Sequence, residues 1–268
     1  MTVMDEVLQC EPGRVVTLEA DNATVRKTFT GPDLIAERYA AEREFDHLSR
    51  YRTALSTYAL ATCPKAIEVN LIGPPFVRME RAVGAPLTSH LAGVLLTERQ
   101  FDQLAAVIVD ALRIYVLTFS EPYYDLHLRN MAVEVPSGLV TFFDFGVPDI
   151  FDPVVVKSLN DLPPLDVSLG NLLGSTAFEA ARPKTLHCRL RHQQSVRLVE
   201  KVLRLSRRID IDNQPAVDLE VIHWTAVAAL RASTTRRGGL LRTVWYGSAA
   251  RFIAQPERLL GKLITRAR

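Results

Sequence analysis

Two polar motifs joined by a short link constrain the fold of this chain more than any other feature of its sequence. The first, YYDLHLRNMAV, places Asn130 five positions after Asp125, and the second, VTFFDFG, places Asp144 after an apolar run. Short apolar stretches flank the turn signal PSG between them, so residues 131–145 are predicted to form a strand–turn–strand link. A link of this length can return Asp144 to the cleft that holds Asp125. The alternative is that the Asp and the Asn only cap ordinary turns.

The first eighty residues predict a small β-rich region with one helix. EVLQCE, RVVTLEA and TVRKTF have the pattern of three short antiparallel strands, separated by turn signals at Pro12-Gly13 and Asp21–Ala23. DLIAERYAAEREFDHLSRYRTAL then has the composition of a helix, with Asp33 as its N-cap. Two further strands are predicted at 66–72 and 76–80.

The rest of the chain predicts mainly helices. Thr97 and Gln100 form a capping-box pattern at the start of a core helix that reaches about Ser120. Residues 147–183 are predicted to be rich in loops, and the remainder largely helical. The expected fold is therefore α+β, with an N-lobe of residues 1–82 and a C-lobe of residues 83–268.

With its motifs in this order, the chain resembles the protein-kinase-like superfamily over about residues 5–183. DLHLRN is similar to the D-L-H-x-x-N of the small-molecule branch, with His127 two positions after the Asp, where protein Ser/Thr kinases usually carry Lys. The nearer resemblance is to the atypical bacterial branch of aminoglycoside-phosphotransferase-like and lipopolysaccharide-kinase-like enzymes. This resemblance implies a bilobal fold and an ATP- and Mg²⁺-dependent phosphotransferase that acts on a hydroxyl acceptor, favoured as a small molecule or a lipid-linked sugar.

The resemblance also implies roles for individual residues. Asp125 would orient the acceptor hydroxyl, while Asn130 and Asp144 would hold the metal. Glu80 lies in the segment RMERAVGAPLTSHL, which is similar to the family's hinge, where adenine would dock. Gly13 lies in the turn that would cover the phosphates.

A lysine and a glutamate complete the implied site. Lys27 has the V-x-K spacing in TVRKTF of a third strand whose amine reaches the α- and β-phosphates, and the alternative is a solvated lysine at a strand edge. Glu37, Glu42 and Glu44 compete to hold that lysine. Glu44 shares a predicted helical face with Leu48, so we expect it to point inward, and Glu42 is the second choice.

The sequence departs from the family pattern at two places. Tyr123-Tyr124 stands where the family carries His-Gly or His-Arg, and the turn in CEPGR has one glycine, so we expect it to grip ATP weakly or only once the acceptor is bound. GSTAFEAARP is faintly similar to the segment that holds a peptide acceptor, with a plain loop ending at Pro183 as its alternative. A protein Ser/Thr kinase, a pseudokinase and an AMP transferase therefore remain open as alternatives.

Charge is distributed unevenly along the chain. The net charge is +2, but residues 231–268 carry nine Arg or Lys and one acid (Glu257), a local charge of +8 that leaves −6 for the remainder. Apolar and aromatic residues are interleaved with these basic residues, which favours contact with an anionic membrane surface. The alternative is that the apolar residues pack on the C-lobe and the arginines are its solvated face. Nucleic acid is the weaker candidate partner because no known binding motif accompanies the charge.

The cysteines and the N-terminus bear on the compartment. Three cysteines without a C-x-x-C pair argue against a disulfide framework or a zinc site and favour buried thiols in a reducing environment. MTVMDEVLQCEPG lacks the pattern of a signal peptide, so a cytoplasmic location is expected.

Overall fold

The structure, a computed structural model, describes residues 6–11, 13–135, 137–146, 158–180, 186–208, 217–229 and 258–266. The chain divides into two compact units. Unit 1 consists of Met1–Gly84 and Ala132–Val147, and unit 2 consists of Ala85–Met131 and Pro148–Arg268.

Unit 1 is built on an antiparallel sheet with the strand order β1-β2-β3-β6-β5. Its strands are β1 (Glu6–Glu11), β2 (Arg14–Leu18), β3 (Thr24–Phe29), β5 (Ala66–Asn70) and β6 (Phe76–Glu80). The three antiparallel strands predicted at the start of the chain are confirmed, as are the two strands near residues 66–72 and 76–80. Strand β3 has a neighbour on each side, so its residues lie in the interior of the sheet.

A single long helix, α1 (Leu34–Leu55), packs against this sheet. The predicted N-cap is confirmed, because the side chain of Asp33 accepts hydrogen bonds from the backbone N–H groups of Ile35 and Ala36. Ala41, Leu48 and other apolar residues of one helix face are buried, so the helix is held by its packing as well as by its cap.

A small second group of strands completes unit 1. The predicted hairpin is confirmed as β8 (Met131–Glu134) and β9 (Leu139–Phe142). Strand β9 also pairs in parallel with the two-residue strand β4 (Ala61–Thr62), which the sequence did not predict. This pairing ties the residues directly before Asp144 to the segment that follows α1.

Unit 2 is mainly helical. After the two-residue strand β7 (Ala85–Pro86), its helices are α2 (Leu87–Gly93), α3 (Glu98–Phe119), α4 (Pro164–Ala180) and α5 (Leu186–Arg208), with a 3₁₀ turn at Leu128–Asn130. Residues 219–229 and 258–266 are also helical. The capping box of α3 is confirmed: Thr97 and Gln100 exchange side-chain and backbone hydrogen bonds, and the helix ends at Phe119. Helices α2, α3 and α4 all pack against α5.

The prediction of loops between 147 and 183 is wrong for the part that forms α4. This helix is buried on nearly all sides, so it lacks the alternation of apolar and polar faces that identifies most helices in a sequence. Its glycines serve close packing. A Cβ at Gly170 would lie 1.7 Å from Oγ1 of Thr225, and one at Gly174 would lie 2.5 Å from the carbonyl oxygen of Ala226. The two glycines, which in the sequence favour a loop, therefore lie where α4 and the helical segment 219–229 approach each other closely.

The α+β fold class is confirmed, with an antiparallel sheet and one long helix in unit 1 and mainly helices in unit 2. Among the described residues, no helix combines the length and the apolar character needed to cross a membrane. Most of the basic segment lies outside the described residues. In its described part, Leu260, Leu263 and Ile264 are buried, which agrees with packing of these apolar residues on the protein.

Candidate functional site

Lys27 lies at the centre of a buried cluster of charges in unit 1. Strand β3 carries it between Val16 of β2 and Val77 of β6, and it is 7% exposed. Its Nζ lies 2.5 Å from Oδ1 of Asp144 and 3.4 Å from Oε2 of Glu44. The lysine is therefore paired within the protein and is not a solvated strand-edge residue.

The two acids of this cluster have different environments. Glu44 is 1% exposed, whereas about a third of the Asp144 side chain is exposed. Oε1 of Glu44 accepts a weak hydrogen bond from the backbone N–H of Phe145 at 3.4 Å, and its Oε2 has no hydrogen-bond partner beyond the ion pair with Lys27. Of the other two glutamates considered, Glu42 is exposed and Glu37 pairs elsewhere.

Burial and charge act against each other in this cluster. Burial alone would lower the pKa of Lys27, but attraction to Asp144 and Glu44 outweighs it and raises that pKa, so the amine is charged. For Glu44, burial dominates and raises the pKa, while Lys27 pulls it down. The carboxylate of Glu44 thus depends on Lys27 for its charged form.

The backbone at Asp144 is held in a left-handed conformation. Its φ is 67°, which is uncommon for a residue other than glycine, although Asp is among the most tolerant. The next residue anchors it: Phe145 is buried, its ring meets that of Tyr51 edge to face at 5.5 Å, and its carbonyl oxygen accepts a hydrogen bond from Arg43. Because Tyr51 and Arg43 belong to α1, the same helix that carries Glu44 also positions Asp144.

The motif DLHLRN forms a second polar cluster, in unit 2. Nδ2 of Asn130 donates hydrogen bonds to the backbone oxygen of Asp125 at 2.9 Å and to its Oδ2 at 3.0 Å. Nδ1 of His127 accepts from the backbone N–H of Arg129, so the neutral ring carries its proton on Nε2, which lies 3.5 Å from Oδ1 of Asp125. Both carboxylate oxygens of Asp125 therefore face a polar neighbour, and its side chain stays 26% exposed.

The tyrosines before Asp125 brace this loop in a way that the sequence did not predict. Tyr123 is fully buried, and its ring stacks on that of Tyr115 with centroids 5.0 Å apart. Its backbone N–H donates to Oγ of Ser168, and Nδ2 of Asn171 donates to the carbonyl oxygen of Tyr124. Ser168 and Asn171 lie on α4. The segment that the sequence predicted to be a loop therefore forms a helix, and this helix holds the backbone before Asp125 in place.

The remaining two predicted residues lie at the ends of strands. Gly13 occupies the turn between β1 and β2 with a φ of 81°, and its carbonyl oxygen accepts a hydrogen bond from the backbone N–H of Thr30. Glu80 ends β6, where its side chain accepts hydrogen bonds from Arg52 and from the backbone N–H of Lys65. Docking of adenine at Glu80 remains a prediction.

A second, partly buried ion pair in unit 1 was not predicted. Nη1 of Arg14 lies 2.5 Å from Oε2 of Glu37, close to the cluster around Lys27. The usable signal in the sequence was the spacing of the glutamates: Glu37 and Glu44 are seven positions apart, which places them on one face of a helix.

The chemistry of the donors fits magnesium. Within the described ranges, no group of three or more His, Cys, Asp or Glu side chains could hold a metal. Mg²⁺ needs fewer protein ligands, since it commonly binds one or two carboxylates together with substrate phosphates. Asp144 offers a partly exposed carboxylate of this kind, and the amide side chain of Asn130 carries another hard oxygen. Binding of Mg²⁺ by these two residues remains a prediction.

Comparison with solved structures found kinase domains of low similarity to this chain. No protein-family model matches the chain, and no curated protein matches its sequence. The kinase domain of PknI from Mycobacterium tuberculosis is 12% identical, with a TM-score of 0.44, over 97% of this chain and 94% of that one. A double mutant of the same domain gives 13% identity and a TM-score of 0.46 over 98% and 94%.

The elements themselves define the class of fold. An antiparallel sheet with a helix-paired lysine on its third strand, and a second unit made mainly of helices, are the parts of a protein-kinase-like α+β fold.

Proposed function

We propose that the protein is an ATP- and Mg²⁺-dependent phosphotransferase that moves the γ-phosphoryl group of ATP to a hydroxyl acceptor. The observation that carries the proposal is the buried ion pair between Lys27 and Glu44, with Asp144 on the same ammonium group. Burying these charges is costly, so a cluster of this kind is an unusual way to stabilise a fold and a common feature of functional sites.

The proposed roles are those that the family resemblance implies, and the contacts of Lys27 with Glu44 and Asp144 support the first of them. Lys27, oriented by Glu44, contacts the α- and β-phosphates, and its charge offsets theirs. Asp144 and Asn130 hold the metal, which supplies further charge neutralisation when bound. Asp125 orients the acceptor hydroxyl so that its oxygen attacks the γ-phosphorus, ADP leaves with the electrons of the broken P–O bond, and the proton passes to the carboxylate.

Two further parts of the site receive roles by resemblance. We propose that adenine docks at the end of β6 beside Glu80, and that the turn at Gly13 lies over the phosphates. Because the side chain of Glu80 is bonded to Arg52 and Lys65, contacts to adenine would come from the backbone around it.

For the acceptor, we propose a small molecule or a lipid-linked sugar, as in the atypical bacterial branch. His127 beside Asp125 supports this proposal, because it stands where protein Ser/Thr kinases usually carry Lys. The segment similar to a peptide-holding loop gives no support to a protein acceptor, since residues 174–180 of that segment belong to α4. Transfer of radiolabelled phosphate in a lysate separates the two classes: label in small molecules or lipid extracts supports the proposal, and label in proteins contradicts it.

Two substitutions test the phosphotransferase itself. Asp125→Asn should abolish transfer and leave ATP binding largely intact, whereas Asp144→Asn should lose the dependence of ATP binding on Mg²⁺. Asp46→Asn is the matched control, because Asp46 forms an exposed ion pair with Arg50 on the surface of α1. Calorimetric titration with and without Mg²⁺ measures binding, and transfer of the labelled γ-phosphoryl group of ATP to acceptors in the lysate measures turnover.

The outcomes separate the proposal from its alternatives. Full turnover in Asp125→Asn would show that the role assigned to this carboxylate is wrong. Mg²⁺-dependent ATP binding in the parent, with no transfer to any acceptor, would identify a pseudokinase. Transfer of label from the α- but not the γ-position would identify an AMP transferase.

We also propose a peripheral contact between the basic C-terminal segment and anionic membranes. Arg258 and Lys262 are exposed, whereas the apolar residues beside them are buried, so the contact within residues 258–266 is electrostatic. Such contacts are worth about 1 kcal/mol for each basic residue and are screened by salt. Sedimentation with anionic liposomes should be lost in the Arg258→Gln/Lys262→Gln variant or at high salt, and binding that survives both changes would contradict the proposal.

A further inference from the structure

A second cation lies on the same face of the sheet as Lys27. In the antiparallel register, Arg14 of β2 is opposite Phe29 of β3, and Val16 is opposite Lys27. Residues opposite each other project to one face, and so do residues two apart along a strand. Arg14 and Lys27 therefore project to a common face, separated by one pair of residues.

The two cations also converge in space. The guanidinium carbon of Arg14 lies 4.5 Å from the centroid of the Phe29 ring, and Nζ of Lys27 lies 5.6 Å from the same centroid. The two distances limit the separation of the charges to about 10 Å, and each cation is within reach of the ring's negative face. Their proximity also appears in the pKa of Lys27, which the charge of Arg14 tends to lower.

Helix α1 supplies one carboxylate to each cation. Glu37 and Glu44 lie two helical turns apart on one face of α1, and they pair with Arg14 and Lys27 respectively. Glu37 is 9% exposed, and Gly31 leaves the room that it occupies, since a Cβ there would lie 2.0 Å from its Oε1. The ion pair between Arg14 of β2 and Glu37 of α1 thus has the same arrangement as the ion pair between Lys27 of the neighbouring strand β3 and Glu44 of α1.

The turn beside Arg14 has little capacity to bind phosphate through its backbone. Only Pro12 and Gly13 separate β1 from β2, and proline has no backbone N–H. A guanidinium group offers several N–H donors in a fixed plane that suits phosphate oxygens. The side chain of Arg14 is 21% exposed, and its Nη1 also donates to the carbonyl oxygen of Gly13, which fixes it to the turn.

We propose that Arg14, positioned by Glu37, is a second phosphate-binding residue that acts together with Lys27 on the polyphosphate of a nucleotide. In this role the guanidinium group of Arg14 supplies the N–H donors that several backbone amides supply in a glycine-rich turn. The inference rests on the proposed function, because it assigns a further residue to the same site. Glu37 acts through Arg14: it offsets the charge of a largely buried cation and fixes the direction of its donors.

Binding measurements on matched variants test this role. Arg14→Gln removes the cation, and Arg26→Gln is its control, because Arg26 also pairs with a glutamate (Glu19) and lies 4.7 Å from an aromatic ring (Phe76) in the same sheet. ATP, AMP and inorganic tripolyphosphate are titrated by calorimetry at fixed Mg²⁺. We expect Arg14→Gln to weaken binding of ATP and tripolyphosphate about tenfold or more, with a much smaller change for AMP, and Arg26→Gln to change none of them.

A purely structural role gives a different pattern. If Arg14 only ties α1 to the sheet, Arg14→Gln lowers the melting temperature and changes the affinities for ATP and AMP equally, and this result would overturn the inference. Arg14→Lys covers the case in which Arg14→Gln does not fold, since it keeps the charge beside Glu37 but loses the planar donors. We expect an intermediate affinity for tripolyphosphate in Arg14→Lys, and an unchanged affinity would also overturn the inference.

The same measurements distinguish this inference from the proposed function. Arg14-dependent binding of tripolyphosphate without any phosphoryl transfer would contradict the phosphotransferase and retain the role of Arg14. Phosphoryl transfer by the parent, with unchanged affinities of Arg14→Gln for ATP and tripolyphosphate, would retain the phosphotransferase and contradict the role of Arg14. A parent protein that binds neither ATP nor tripolyphosphate would overturn both.

Discussion

Replacing Lys27 with methionine should make the stability of the protein fall more steeply with rising pH than the stability of the parent does. Methionine has a similar length and an apolar stem, so the packing around β3 is largely kept while the ammonium group is lost. Glu44 then remains buried, with its weak hydrogen bond from Phe145 and without the cation that favours its ionised form. Its pKa, which burial already raises, should rise further.

The size of the effect follows from the cost of keeping this carboxyl neutral. In the unfolded chain the pKa of Glu44 is close to 4.5, the ordinary value for a glutamate carboxyl. Between that value and pH 7 lie about 2.5 pH units, each worth about 1.4 kcal/mol, so protonation of Glu44 limits the destabilisation at pH 7 to about 3.5 kcal/mol. Because the folded-state pKa is raised, the stability is fully present below about pH 4.5 and is lost as the pH rises.

Urea unfolding at several pH values measures this prediction. The free energy of unfolding of Lys27→Met should fall below that of the parent by about 2–3 kcal/mol at pH 7 and by much less near pH 4.5. The double variant Lys27→Met/Glu44→Gln is the control, because it carries no buried carboxyl at this position and should recover most of the loss. It should still lack phosphoryl transfer, which separates the chemical role of Lys27 from its structural role. Equal stability of parent and Lys27→Met at pH 7 would refute the reasoning.

Three further predictions concern stability and reactivity away from this cluster. Burial raises the pKa of Asp166 to about 6, so the parent should lose on the order of 1–3 kcal/mol of stability as the pH rises from about 4 to 6, and Asp166→Asn should not. Gly170→Ala should destabilise the fold by about 1–3 kcal/mol through its contact with Thr225, whereas Gly261→Ala, which meets nothing within 4 Å, should stabilise it by about 0.5–1 kcal/mol; thermal unfolding of both variants tests the pair. Burial raises the pKa of the Cys63 thiol to about 12, so at pH 8 a maleimide should label Cys63 only after unfolding, and mass mapping of rapid labelling in the native state would contradict this.

Elements specified by local signals were predictable from the sequence. Helices α1 and α3 begin at side-chain caps, and their apolar spacing is regular, so Asp33 and Thr97 mark their starts. Strands β2 and β3 alternate and are separated by a turn signal. The position of Lys27 within β3 follows directly from that alternation.

Elements specified by distant contacts were not predictable. Helix α4 has no polar face to reveal its period, and the role of its glycines depends on the residues of the segment 222–229 that pack against them. Strand β4 has two residues, and its parallel partner β9 lies almost eighty positions later in the chain. Which of Glu37, Glu42 and Glu44 pairs with Lys27 likewise depends on where the sheet places its cations. The sequence of the helix alone does not contain this information.

The two ion pairs make the position of α1 a common determinant of both proposed phosphate-binding cations. Glu37 and Glu44 move together because they belong to one helix, while Arg14 and Lys27 keep their spacing because they belong to paired strands. A displacement of α1 from the sheet would therefore remove the α1 carboxylate from both largely buried cations at once, at a cost that single separated pairs would not share. Ala41 and Leu48 are fully buried on this helix, so apolar packing opposes such a displacement. Packing of the apolar face of α1 thus keeps the charged groups aligned. In the proposed enzyme, the contact between this helix and the sheet therefore determines the positions of the two phosphate-binding cations.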